Sequence, residues 1–165
     1  MHMSVLVIRH GLSEANNRDN IKTIALASMD APLMKQGQLQ AEQLGTRLNA
    51  HYAVAVADKR IATSQLRRAQ ETAEKAGFQR IISYALLNEV AHGVVLPQLR
   101  SQLNNNILPN EAIDAAESLL DQPPVEDIWI THGLVIAGLC AVLNVYQDRS
   151  LIPRFCEIRE LPLAS

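Results

Sequence analysis

Short continuous apolar runs alternate along this chain with segments of helical period. Ser4–Arg9 (SVLVIR) is a β-branched run of the buried-strand type. Polar sequence follows from Gly11 to about Met29, where Asn16-Asn17 and Asp19-Asn20 signal a loop. Gln38–Ala50 sets Leu39, Leu44 and Leu48 at near-helical spacing and predicts an amphipathic helix. Val54–Ala57 with Ile61–Ala62 predicts a second buried strand, and Gln65–Ala76 a charged helix stopped by Gly77. Ile81–Leu87 predicts a third strand.

The stretch from Glu89 to Leu108 holds Gly93, Pro97, three consecutive asparagines and, just beyond, Pro109, which leaves a helix only around Pro97–Leu103. Asn110–Leu120 predicts a further helix with Asn110 as N-cap, stopped at Gln122-Pro123-Pro124. Asp127–Thr131 (DIWIT) reads as a fourth strand and Leu134–Val145 as a helix apolar on nearly all sides. Phe155–Leu161 reads as a final edge strand closed by Pro162. Strands that alternate with helices and are continuously apolar predict an α/β fold, a three-layer α/β/α sandwich around a mostly parallel sheet. Neither a repeat nor a linker divides the chain, so one domain over 1–165 is expected.

Composition narrows the function classes. The net charge of −2 offers no basic excess to attract nucleic acid or an anionic membrane, so neither is an expected partner. The run Val5–Ile8 is too short for a signal-peptide core, and Leu134–Val145 falls short of the roughly 18 residues that span a bilayer. Cys140 and Cys156 make no disulfide framework and read as core residues, which fits a reducing cytoplasm.

The chemistry concentrates at strand ends, where open α/β sheets collect ligands. His10 follows the first strand and precedes Gly11; His132 follows the fourth and precedes Gly133. Arg9 adjoins His10, and Arg67 and Arg68 open the helix after Ala62-Thr63-Ser64. Guanidinium groups match phosphate oxygens bidentately, and a helix N-terminus adds N–H donors for an anion. Two histidines with arginines at strand ends read as a phosphate pocket, without a Walker-type loop or a carboxylate cluster for magnesium. Arg67 lies about 100° from Arg68 on that helix and is expected to face solvent or to pair with Glu71.

Arg9-His10-Gly11 with Ser13 and Asn16 resembles the signature of the histidine phosphatase superfamily, which includes the phosphoglycerate mutase-like enzymes. Asp30-Ala31-Pro32-Leu33 with Gly37 and Gln40-Ala41 resembles a second family stretch, and Ser64 to Ala69 with Thr72-Ala73 a third. Leu87-Asn88-Glu89 with Gly93 resembles its general-acid segment, and Thr131-His132-Gly133 that of the second histidine. The resemblance implies a phosphoglycerate mutase-like fold with His10 as nucleophile and Arg9, Arg68 and His132 (as an imidazolium) around the phosphate. Asn16 would be an accessory ligand, Glu89 the acid for the leaving oxygen, and Gly133 the start of the helix behind the pocket. Ser13 is open between a pocket contact and a local turn bond, and Asn16 has an alternative as plain loop chemistry. Met34 stands where the family carries a capping Thr, and Leu12 where it carries Glu or Gln.

The implied function is a phosphoric monoester hydrolase acting on a small phosphorylated metabolite through phosphohistidine at His10, with no metal and no cofactor. The alternatives are a phosphoprotein (phosphohistidine) phosphatase, a phosphoglycerate-type mutase and a weakly catalytic binder of phosphorylated ligands. The short separation of Glu89 from His132 leaves little sequence for the large substrate lid of a mutase. Substrate and oligomeric state are not legible.

Overall fold

A computed structural model describes residues 2–16, 30–91 and 96–164 of the chain. Among the described residues five strands, β1 (His2–Arg9), β2 (Arg60–Thr63), β3 (Arg80–Ser83), β4 (Ile128–Thr131) and β5 (Ile158–Ala164), form one sheet in the order β3-β2-β4-β1-β5. The pairings β3–β2, β2–β4 and β4–β1 are parallel, and β5 runs antiparallel to β1. The α-helices described between them are α1 (Lys35–Tyr52), α2 (Arg67–Ala76), α3 (Leu96–Asn104), α4 (Asn110–Asp121) and α5 (Gly133–Leu143).

The strand order decides where the helices go. The chain first travels from β1 through α1, β2 and α2 to β3, then reverses and returns through α4 to β4 and through α5 to β5. Right-handed crossovers in opposite directions place their helices on opposite faces. Accordingly α1 packs with α2, and α4 with α5. The inner strands serve both faces by period-two alternation. Ile8, Ile61, Ile128 and Ile130 join Leu44, Leu48, Ala69 and Ala73 in one core. Val5, Val7, Ala62 and Trp129 join Ala116, Leu119, Ile136 and Leu139 in the other. The α/β/α layering expected from the sequence is the observed one.

Local departures have local causes. Helix α1 starts at Lys35 rather than Gln38, because Gly37 lets its first turn press against the Leu12 backbone; a Cβ there would lie 2.0 Å from the Leu12 carbonyl oxygen. Leu39 is 52% exposed, and the buried stripe runs instead through Ala41, Leu44 and Leu48. Met34 stands at the N-cap with no side-chain bond. Val54–Ala57 is a turn and not strand, closed by the Asp58 and Lys59 N–H groups on the Ala55 carbonyl; Val54 and Val56 use their apolar character to pack on the α1–α2 core. The third strand stops at Ser83, and Ala85–Leu87 turns as a short 3₁₀ helix that drops Leu87 into the opposite core. Helix α2 begins at Arg67, two residues after the expected start, and α5 ends at Leu143, two before the expected end, where Asn144 takes a left-handed φ of 54°. Asn110 is the first helical residue and not the cap, which is Pro109. Strand β5 lies further along than Phe155–Leu161 and continues through Pro162, which pairs with Ser4; an edge strand tolerates the missing N–H. His92 and Gly93 lie outside the described residues, as does the loop beyond Asn16 as far as Met29. No helix among the described residues is long and apolar enough to cross a membrane.

Candidate active site

Strands β1 and β4 are neighbours whose chains leave in opposite directions, β1 toward the α1 face and β4 toward the α5 face. A crevice opens between such ends. The ladder carries one rung past the strands here. Arg9 faces Thr131 across the pair, and the His10 N–H donates to the Thr131 carbonyl at 3.1 Å. On the other side of β4, the Ser64 N–H donates to the Ile130 carbonyl at 3.1 Å. His132 therefore follows a strand held between the strands that carry His10 and Ser64. The His10 and His132 rings lie edge to face with centroids 5.0 Å apart.

His10 is buried, and its Nδ1 lies 2.6 Å from the Gly11 carbonyl oxygen. A carbonyl can only accept, so Nδ1 carries the hydrogen and Nε2 the lone pair. Burial, then the charges of Arg9 and Arg68, holds the ring's pKa well below the usual histidine value. The loop after it is clamped. Gly11 donates its N–H to Thr72 Oγ1 at 3.0 Å, and Thr72 donates in turn to the Arg68 carbonyl at 2.6 Å. A Cβ at Gly11 would come within 2.6 Å of the Gly37 carbonyl oxygen, so close approach of α1 explains this glycine.

Arg9 donates from Nη1 to the Pro153 carbonyl at 2.8 Å, and its guanidinium lies 4.1 Å over the Phe155 ring. Its Nε is buried and has no hydrogen-bond partner among the described residues. Burial lowers its pKa to about 10, which leaves it a cation at neutral pH. Gly133 makes room for it: a Cβ there would stand 3.3 Å from Arg9 Nε. Arg68 is buried from the first turn of α2, and burial depresses its pKa also. The half-buried Glu89 lies within electrostatic reach of both arginines. Its pKa is raised by burial, against the Val90 N–H bond at 2.9 Å and the two cations, which favour the carboxylate.

His132 is fully buried. Its Nε2 lies 2.8 Å from Ser64 Oγ, and its Nδ1 has no partner among the described residues. Burial, with His10, Arg68 and Arg9 beside it, pushes its pKa well below the ordinary value. The lowered pKa favours the uncharged ring over the imidazolium that the resemblance implies.

Other candidates are placed differently. Arg67 is outside the cluster, paired with Glu71 at 2.9 Å. At the N-terminus of α2, Asp30 Oδ1 accepts the Arg67 N–H at 2.6 Å. Ser13 and Asn16 bond to each other: Asn16 Oδ1 accepts from the Ser13 hydroxyl at 2.7 Å and from its N–H at 3.2 Å. The Ser13 hydroxyl thus makes the local turn bond. Sequence reasoning gave no role to Ser64, Thr72, Asp30 or Phe155. The first three stand in stretches that resemble the family, so a signal existed; Phe155 reaches Arg9 from the far end of the chain and left none. Among the described residues no three His, Cys, Asp or Glu side chains converge as metal ligands. A groove of about 470 Å³ lies at the opposite ends of the strands beside Ser4, Leu6 and the Lys59–Asp127 ion pair, away from both histidines.

Residues 5–126 match the family described as the histidine phosphatase superfamily (branch 1), a span that stops just short of β4 and His132. No curated protein sequence matches the chain. The fold is shared with TTHB049 of Thermus thermophilus, at 20% identity, a TM-score of 0.69, and coverage of 99% of this chain and 100% of that one. It is also shared with the mycobacterial glucosyl-3-phosphoglycerate phosphatase Rv2419c, at 19% identity, a TM-score of 0.65, and coverage of 98% and 91%. Rv3214 of Mycobacterium tuberculosis aligns at 19% identity with a TM-score of 0.64 over 95% of this chain and 89% of its own. Members of the matched family are phosphatases or mutases. By the span of that match and by its fold, the chain belongs to the histidine phosphatase superfamily.

Proposed function

We propose that the protein is a phosphatase that hydrolyses a phosphomonoester of a small metabolite through a phosphohistidine at His10. The observation that carries this reading is the state of His10: Nδ1 is tied to the Gly11 carbonyl, and an uncharged ring keeps its Nε2 lone pair beside two buried arginines. With both histidines neutral, the charge of the pocket rests on Arg9 and Arg68. Two guanidinium cations balance a phosphomonoester dianion.

In the first step Nε2 of His10 attacks phosphorus, an N–P bond forms, and the ester P–O bond breaks in line. Arg9, Arg68 and His132 hold the non-bridging oxygens. Because Asn16 Oδ1 is committed to Ser13, only the amide N–H groups of Asn16 are left to donate to phosphate. Protonated Glu89 gives its proton to the leaving oxygen, and the raised pKa supports this role. In the second step water attacks the phosphohistidine, the Glu89 carboxylate takes its proton, and His10 leaves with its lone pair restored. A phosphorylated protein with a good leaving group would have less use for Glu89, which favours the ester.

The test is covalent trapping. Wild-type protein given labelled phosphomonoester should carry acid-labile, base-stable phosphate, and His10→Ala should carry none and lose turnover. Persistent labelling of His10→Ala would overturn the assignment.

A further inference from the structure

We propose that Ser64 is a positioning residue that fixes His132 as the neutral Nδ1–H tautomer, so that His132 meets a phosphate oxygen as a hydrogen-bond donor and not as a cation. The inference rests on the phosphatase reading for its consequence, but on geometry for its substance. Ser64 is fully buried at the end of β2, and its Oγ has two neighbours: the Leu66 N–H at 3.2 Å and His132 Nε2 at 2.8 Å. The Leu66 N–H can only donate, so Oγ is its acceptor.

Two proton arrangements then remain. In one, Nε2–H donates to Oγ as well. The serine hydrogen would then have no acceptor among the described residues, and the buried Nδ1 would present a lone pair to the anion pocket. In the other, the serine hydroxyl donates to Nε2. Both Oγ functions are then used, and the hydrogen falls on Nδ1, the buried atom without a partner among the described residues. An unpartnered buried donor is unfavourable until something accepts from it. A phosphate oxygen between Arg9 and Arg68 is that acceptor.

The charged groups around the ring point the same way. His10 and Arg9 approach from β1 and Arg68 from α2, and all of them disfavour a second proton on His132. Glu89 lies within reach of both arginines and is itself drawn toward its neutral form. The two histidines thus share a tautomer and divide its uses. On His10 the bare Nε2 faces phosphorus, whereas on His132 the bare Nε2 is consumed by Ser64 and the Nδ1–H faces oxygen.

Two-bond ¹⁵N–¹H correlation of ring-labelled protein with bound inorganic phosphate tests this directly. Between pH 5.5 and 7.5, His132 should show a protonated Nδ1 and a bare Nε2. Ser64→Ala should lose that fixed pattern and lower kcat/KM for p-nitrophenyl phosphate about 10–100-fold, and Ser64→Thr should restore both. A doubly protonated ring at pH 7, a protonated Nε2, or an unchanged tautomer in Ser64→Ala overturns the proposal. The wild-type spectrum decides it even if Ser64→Ala does not fold. Failure of wild-type protein to form phosphohistidine at His10 would instead sink the phosphatase reading and leave the tautomer assignment standing.

Discussion

Glu89 is a carboxyl set against two cations, and burial outweighs them. Its raised pKa keeps the proton to higher pH than an exposed glutamate would. The protonated form is the useful one for a poor leaving group, so kcat/KM on an alkyl phosphate should fall as pH rises through the pKa of Glu89. Glu89→Gln should abolish that limb and cut the rate on the alkyl ester about 10²–10⁴-fold. The loss on p-nitrophenyl phosphate should be far smaller. Equal losses on the two substrates would remove Glu89 from the acid role. Legibility at this scale followed locality. Arg9-His10-Gly11 and Thr131-His132-Gly133 could be read because strand, histidine and glycine are consecutive. Arg67 could be separated from Arg68 because one helical step turns it away and Glu71 stands one turn on. The Ser64–His132 bond and the Phe155 ring beneath Arg9 could not be read, since each depends on which strands become neighbours.

The elements show where period and sequence agree and where backbone geometry decides. Helix α1 is capped by Ala53, a non-glycine residue held at φ 53° with its N–H on the Leu48 carbonyl. A left-handed L-residue costs roughly 1–2 kcal/mol, and glycine relieves this at the cost of about 0.4–1 kcal/mol through the unfolded chain. Ala53→Gly should therefore stabilise the fold by about 0.5–1 kcal/mol, read as a higher urea midpoint at unchanged slope. A lower midpoint would show that the Ala53 methyl contributes more than its strain. Gly77, which closes α2 at φ 106°, is the same device with the expected residue, and it was legible for that reason. The Val54–Ala57 turn was misread because a short apolar run carries no period long enough to tell a strand from a packed turn.

At the scale of the whole molecule, two buried neutral histidines tie stability to pH. Their folded pKa values lie below the unfolded value near 6.5, so the unfolded chain binds more protons as pH falls. Stability is full above about pH 6.5 and declines below it, by up to roughly 1.4 kcal/mol per pH unit for each histidine. Glu89, raised in the fold, works in the opposite direction within its own titration range. Urea midpoints should drop between pH 6.5 and 5.5, and His132→Asn should make the drop shallower. A midpoint independent of pH over that interval would mean that the histidines are protonated in the native state.

The sheet order has a consequence for assembly. Strand β1 leads into His10, the proposed nucleophile, yet its neighbours are β4 and β5. Neither neighbour exists until the chain has passed Asp127. A nascent chain can pair β2 with β3 and pack α1 against α2 while β1 still waits without a strand on either side. Late arrival of β4 between β1 and β2 then joins sheet and pocket in one event. Pairings so distant in sequence are slow to form. Catalytic competence should therefore appear together with the last structure to fold, and partly made chains should contain His10 without any phosphate pocket around it.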